Sequence, residues 1–292
     1  MSTSEPVTIY ADLHTHTTCS DGLLSPIELI TKAEQVGLRA VSITDHDTMA
    51  AHAELKRIGY NGSVVIIPGM EISCFEAGRD IHVLGYYLDS ANPDVQAYIE
   101  FFKHDRDRRA MEIIDRLRRM GCAITYEEVA ARAAGAPIGR PHVASVLIER
   151  GYASSIQNAF DKWLDRSKPG YVAKAPFTVR QAVDMVRSAG GVAVIAHPGK
   201  TYNDPRLFLG LIASGIDGIE VFHSSHWSVT REYYRVLAKQ HALIMTGGSD
   251  FHGSRDYDER NFGNIGVPIE LFDALAARVQ LRRSQLIAAQ AS

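Results

Sequence analysis

The chain has 292 residues, 46% of them hydrophobic and 22% charged, with a formal net charge of −3. That length can bury a sizeable core, as one large α/β domain or as one domain carrying an insertion. The charge balance gives no global case for nucleic-acid or membrane binding, and the longest apolar runs are too short to span a bilayer.

The opening Met-Ser-Thr-Ser-Glu-Pro has neither the basic nor the apolar segment of a secretory signal. Val7–Ala11 alternates apolar and polar residues and predicts a first strand, which runs into Asp12-Leu13-His14-Thr15-His16. Residues two apart on a strand share a face, so His14 and His16 can present two imidazoles together. That is half of a divalent-metal site; the plainer reading is a strand end with two solvated histidines. Asp21 follows in a loop from which its carboxylate could fold back over the same mouth. Cys19 reads as a bystander there. Together with Cys74 and Cys122 it is widely spaced, with no Cys-x-x-Cys pair, which predicts a reducing, cytoplasmic setting.

Ser25-Pro26-Ile27-Glu28 is a capping box with proline at the first helical position, and its helix should end at Gly37. Arg39–Thr44 is a short buried strand that delivers Asp45-His46-Asp47. A helix capped by Thr48 covers Met49 to Ile58. Val64–Ile67 is the next strand, leading into Pro68-Gly69-Met70-Glu71, and Asp80–Tyr87 is a fourth that carries His82. Strand alternating with helix is the signature of a parallel α/β sheet or barrel.

From Pro93 the rhythm changes. Val95 to Met120 predicts one long helix whose Lys103, Arg106, Arg108, Arg109, Arg116, Arg118 and Arg119, interleaved with acids, read as a solvated face. A capping box at Thr125 and segments 141–150 and 155–164 predict three more helices. The expected organisation is a barrel (1–92 and 175–292) interrupted by a helical insertion domain (93–174). Alternation resumes with a helix capped by Thr178. Strands at 192–196, 217–222 and 242–246 then deliver His197, His223 and Ser249-Asp250-Phe251-His252. His52, His104, His226 and His241 read as surface residues.

Nearly all of these histidines and carboxylates stand at or just after the C-terminal end of a predicted strand, where parallel barrels place their sites. Burying several ionisable groups together is costly unless they are paired or metal-bound, so a metal is the economical explanation. His14-x-His16, Thr44-Asp45-His46, Gly69-x-Glu71, His82, Ala196-His197-Pro198 and Ser249-Asp250-x-His252 resemble, in order, the motifs of the PHP (polymerase and histidinol phosphatase) domain. The resemblance implies an α/β fold, a distorted (β/α)7 barrel with a helical insertion domain, and a phosphoesterase centre of two or three divalent ions (Mn, Zn or Fe). It implies one ion on His14, His16, Glu71 and Asp250, and a second on the bridging Glu71 with His82 and His197. A third would be held by Asp21, His46 and His252, although relatives often carry histidine where this chain has Asp21. In such a centre two ions about 3.5–4 Å apart share a water and lower its pKa, and the hydroxide attacks phosphorus in line.

Glu71, Asp250 and His223 are the expected catalytic residues. His223 could bond the transferred phosphate or protonate the leaving alkoxide; it could equally be a plain strand-end histidine. Arg140, before a predicted helix start, suits a phosphate, or else it docks the insertion on the core. Lys174 could add a second charge near the same mouth, or could simply be solvated. Gly139-Arg140-Pro141-His142 and the insertion resemble a PHP subgroup of 3′,5′-nucleoside bisphosphate phosphatases, some of which trim short RNA from the 5′ end. That likeness implies hydrolysis of 3′-phosphoadenosine 5′-phosphate to AMP and phosphate, with Arg140, His142, Lys174 and His223 touching substrate.

The alternatives are a 5′-to-3′ exonuclease on short RNA, a histidinol-phosphate phosphatase and, outside enzymology, a metal-stabilised scaffold module. A C–N hydrolase of related barrel would show a bridging lysine, whereas Glu71 stands at that place. The expected partner is a small-molecule nucleotide or short RNA, with no membrane and no obligate protein partner.

Overall fold

The computed structural model describes residues 8–201, 205–255 and 257–290. Val7 and the N-terminal hexapeptide read above lie outside them. The elements run β1 (Ala11–Thr15), α1 (Pro26–Gln35), β2 (Ala40–Ile43), α2 (Ala50–Arg57), β3 (Val65–Glu76) and β4 (Arg79–Tyr86). Then come α3 (Pro93–Arg119), α4 (Tyr126–Ala133), α5 (Arg140–Glu149) and α6 (Ile156–Ala159), the last passing into a π-helical turn at Phe160–Leu164. The remainder is α7 (Val179–Ser188), β5 (Val192–Ile195), α8 (Pro198–Thr201), α9 (Pro205–Ala213), β6 (Gly218–His223), α10 (Ser228–Gln240), β7 (Ile244–Gly248), α11 (Asp258–Asn261) and α12 (Ile269–Gln290).

The capping boxes predicted at Ser25 and Thr125 are formed, and the cap predicted at Thr178 is a capping box as well. Helix α2 instead begins after Met49, and Thr48 Oγ1 accepts the N–H of Ala50 at 3.2 Å.

Seven strands form one sheet in sequence order. Pairs β1–β2–β3 and β5–β6–β7 are parallel, as the alternation predicts, but β4 is antiparallel to both β3 and β5. The expectation of a strand ending at Ile67 is corrected here: β3 runs on through Pro68 and Glu71 to Glu76, then turns tightly into β4. Ala77 and Gly78 make that turn with φ of 49° and 71°, the left-handed pair that a two-residue hairpin demands. Glu71 therefore stands inside a strand.

The barrel is closed by the end of β7 and the segments after it. The N–H of Asp250 donates to His14 O at 2.9 Å, that of His16 to Phe251 O at 2.9 Å, and that of Val267 to Ala11 O at 2.9 Å. Gly248 permits this approach, because a Cβ there would lie 2.4 Å from the Cβ of His14.

One core lies inside the barrel and is built from Leu13, Leu84, Val194 and Ile244 with α12 residues Leu275 and Val279. Two more lie between the sheet and its surrounding helices. Among the described residues no strand falls between β4 and β5, and residues 110–172 pack around an apolar cluster of their own. Among the described residues no helix is long and apolar enough to cross a membrane.

Two surface expectations fail. Arg106 and Arg109, predicted on a solvated helix face, are 7% and 6% exposed, because that face of α3 lies against the barrel mouth and α5. His226 is 3% exposed, with Nδ1 facing Val221 O at 2.9 Å and Nε2 accepting the N–H of Gly199 at 3.0 Å. His52 is half-buried and links β2 to β3, its Nε2 lying 2.8 Å from Ile43 O and 3.1 Å from the N–H of Gly69. A backbone donor or acceptor explains each buried imidazole.

Candidate metal centre

Glu71 is the hub. Its Oε2 lies 3.3 Å from His14 Nε2, 3.2 Å from His16 Nε2 and 3.2 Å from His46 Nδ1. Its Oε1 lies 2.6 Å from His82 Nδ1 and 2.9 Å from His197 Nε2. The strand geometry explains this convergence. His14 and His16 are two apart at the end of β1. Ser73 pairs with His82 and Glu71 with Leu84 across the hairpin, so Glu71, Ser73 and His82 share a face.

Three sets of donor atoms lie within 4.8 Å of one another around this hub: His14, His16, Glu71 and Asp250; His16, Asp21, His46 and His252; and His46, Glu71 and His82. A fourth set joins His14, Glu220 and His223. The first set is the one the family resemblance implies. In the second, Asp21 folds back from its loop to 3.4 Å from His252, 3.8 Å from His16 and 4.0 Å from His46. His197 touches Glu71 but falls outside these sets, and His46 takes the place beside His82. Three positive-φ residues, Asp47, His197 and Asp250, cluster here at 55°, 29° and 55°.

The donor set fits divalent ions. Glu71 Oε2, His14 Nε2, His16 Nε2, His46 Nδ1 and His82 Nδ1 are all buried and make no hydrogen bond. Five orphaned lone-pair or N–H groups facing one another would be expensive unless a cation drew them together. Without a metal, protons do part of that work. Burial opposes charge on His14 and His16, but Glu220 and Glu71 hold His14 well above its ordinary value. The carboxylates of Asp250 and Glu71, 3.4 and 3.2 Å from its Nε2, raise His16 to about 9. Burial wins at His197, pushed down to about 3, and at His46 and His82. Ions must therefore displace protons from His14 and His16, so metal affinity should rise with pH from neutrality through about 9, where His16 titrates. Mn²⁺ titrations at several pH values check this; an affinity that falls as pH rises would contradict it.

The outer residues are mostly ones the motif reading passed over. Glu220, fully buried, approaches His14 Nδ1 at 2.9 Å through Oε1 and accepts the N–H of His197 at 2.6 Å through Oε2. It fixes the tautomer of His14 and the backbone of His197. Its sequence signal was a lone acid inside an apolar strand, Ile219-Glu220-Val221. Asp45 gathers Thr17 N–H at 2.7 Å, Thr17 Oγ1 at 2.6 Å and Ser20 Oγ at 2.5 Å, which shapes the loop that carries Asp21.

His223 is 1% exposed, with Nε2 at 3.5 Å from Asp250 Oδ2 and Nδ1 at 2.8 Å from Ser225 Oγ. Lys174 is buried, not solvated. Its Nζ sits 2.9 Å from His82 Nε2, 3.1 Å from Ser73 Oγ and 3.9 Å from Asp80 Oδ1, and burial lowers its pKa to about 8. Arg140 is the first residue of α5, not one before it, and its Nη2 lies 3.5 Å from Asp80 Oδ2. The ring of His142 caps its own helix, with Nδ1 accepting the N–H of Gly139 at 2.9 Å.

A seven-stranded barrel that gathers six histidines and three carboxylates at one mouth defines a metal-dependent hydrolase. The PHP domain pattern matches residues 12–172. The 5′-3′ exoribonuclease Rnm of Escherichia coli is 36% identical over 260 residues, covering 86% of this chain and 88% of its own. A 3′,5′-nucleoside bisphosphate phosphatase of Chromobacterium violaceum is 33% identical over 255 residues, covering 84% and 89%. Among solved structures, a Bifidobacterium adolescentis protein put forward as a metal-dependent phosphoesterase superposes with a TM-score of 0.83 at 29% identity, covering 94% of this chain and 98% of its own. The chain belongs to the PHP domain family, and it is a metal-dependent phosphoesterase.

Proposed function

We propose that this phosphoesterase removes the 3′-phosphate of 3′,5′-nucleoside bisphosphates, yielding a nucleoside 5′-phosphate and inorganic phosphate. The observation that carries this reading is a second, buried cationic place beside the metal-ligand cluster. Lys174 stands on His82, and Arg140 lies behind it across Asp80, so a substrate with two phosphates can set one over the metal ligands and the other against these side chains. The 33% identical bisphosphate phosphatase supports it.

We assign the ion ligands to His14, His16, Asp21, His46, Glu71, His82, His197, Asp250 and His252. Bound divalent ions would supply an activated water and charge neutralisation at phosphorus. The chain's own residues do the rest. Glu220 orients His14, while Lys174 and Arg140 hold the phosphate that is not cut. His223, whose Nε2 is buried without a hydrogen bond, stands ready to bond a phosphoryl oxygen or give a proton to the leaving alkoxide. The helices of residues 93–174 act as a cap that brings Arg140 and Lys174 to the mouth.

A second reading, 5′-to-3′ cleavage of short RNA, is favoured by the 36% identical exoribonuclease and uses the same centre with a longer leaving group. The test is phosphate or nucleotide release with Mn²⁺ from 3′-phosphoadenosine 5′-phosphate, AMP and a short 5′-phosphorylated RNA. Preference for the bisphosphate supports the first reading; preference for RNA replaces it with the second. In the same assay Arg140→Ala should raise KM for the preferred substrate about tenfold and change kcat far less. An unchanged KM would remove Arg140 from the binding site.

A further inference from the structure

Asp250 faces two environments at once. Its backbone is left-handed at φ 55°, held by an N–H that donates to His14 O at 2.9 Å. Its two carboxylate oxygens look in different directions. Oδ1 lies 3.5 Å from His14 Nε2, 3.4 Å from His16 Nε2 and 3.6 Å from His252 Nδ1. Oδ2 accepts from Arg255 Nη1 at 3.0 Å, with His223 Nε2 at 3.5 Å and Lys200 Nζ at 3.9 Å. The same Arg255 nitrogen donates to the carbonyl of Asp250 at 3.1 Å, so one guanidinium fixes both the side chain and the strained backbone.

Arg255 is itself held in place. Its N–H and that of His252 each donate at 3.2 Å to Oδ2 of Asp258, which is fully buried. Its guanidinium lies 5.9 Å from the ring centre of Tyr257. Lys200 cannot take over this work, because its side chain is 52% exposed and stands too far off for a hydrogen bond.

We propose that Arg255 is a positioning residue that keeps Asp250 a one-oxygen ligand, with Oδ1 turned to the ion and Oδ2 withheld. The inference rests on the metal centre proposed above. A carboxylate can grip a divalent ion through one oxygen or both, and a charge-assisted hydrogen bond on the outer oxygen removes the second choice. The fixed positive charge of Arg255 also opposes the cation it helps to place. Losing Arg255 therefore moves two quantities in opposite directions. Metal binding tightens, because a repelling charge goes and a second oxygen is freed. Turnover slows, because gripping with both oxygens occupies a coordination position that substrate needs. A residue that merely stabilised the loop would weaken both.

The experiment uses the full chain and Co²⁺, with Arg255→Met and Arg255→Lys beside the wild type. Arg255→Met should bind Co²⁺ about three- to tenfold more tightly, as expected for removing one charge a few ångströms from a divalent ion. Its kcat should fall about tenfold or more, in the range seen for residues that orient metal ligands. Its visible Co²⁺ bands should weaken, the signature of a higher coordination number. Arg255→Lys, which keeps the charge without the planar fork, should fall between. Unchanged or weaker Co²⁺ binding by a folded Arg255→Met protein, or an unaltered spectrum, overturns the inference while wild-type binding keeps the centre. A wild type that binds no Co²⁺ overturns the centre and the inference together.

Discussion

Glu71→Gln should abolish turnover, by at least about 10³-fold, and strip the protein of most of its bound metal. The substitution keeps size and shape, so the loss reports charge. Five imidazoles, those of His14, His16, His46, His82 and His197, approach the two oxygens of this one carboxylate. A carboxamide leaves them with one neutral oxygen and an NH₂ that points two protons at nitrogen lone pairs. The measurements are metal content after dialysis and kcat on the preferred phosphate ester. A Glu71→Gln protein that kept full metal content and rate would remove Glu71 from the centre.

Arg106→Met should cost about 3–5 kcal/mol of folding stability, the usual penalty for stripping one partner from a buried ion pair. Arg106 donates through Nε to Asp47 Oδ2 at 2.8 Å, and its Nη2 binds the same oxygen. Asp47, 1% exposed, also takes the N–H of Ser73 at 2.8 Å, the hydroxyl of Ser73 at 2.9 Å and the hydroxyl of Tyr98. Arg106 and Tyr98 both belong to α3, while Asp47 directly follows His46. The pair thus bolts the long helix onto the loop that carries His46. Burial pushes the carboxyl of Asp47 up, but Arg106 and Lys174 outweigh it and hold the group below its ordinary value. A depressed folded-state pKa stabilises the fold above the unfolded-state value of about 3.9, and that stability is lost as pH falls below it. Urea unfolding at neutral pH and again in acid should show the gap between wild type and Arg106→Met narrowing in acid. A gap that stays constant would deny Asp47 its charge.

Much of this was legible in the chain because its signals are local. A His-x-His on a strand, a proline-led capping box and an acid after a short apolar strand each fix their geometry within a few residues. Glu71 was legible as a residue but not as a position. Pro68-Gly69 reads as a strand end, and only pairing with β4 shows that the strand continues through it. The solvated-face reading of α3 holds for Lys103, Arg108, Arg116, Arg118 and Arg119 and fails at Arg106 and Arg109, for a similar reason. Its arginines alternate with acids as on any exposed helix, and nothing within the helix reveals that Asp47, far away in sequence, needs a cation. Lys174 and Glu220 are likewise ordinary residues until tertiary contacts bury them. The sequence reading predicts no helix at α9 to α12, although α11 supplies the buried Asp258 that holds Arg255 and His252.

The way the barrel closes sets an order of events during synthesis. His14 and His16, the first two of the proposed ligands, emerge from the ribosome long before Asp250 and His252, yet all four meet across the β1–β7 seam. A nascent chain can form its first hairpin and its helical segment early, but it cannot assemble a complete ligand set until the last strand has been made and has docked against the first. On the proposed ligand assignment, metal capture is then a late step that waits for the seam to close.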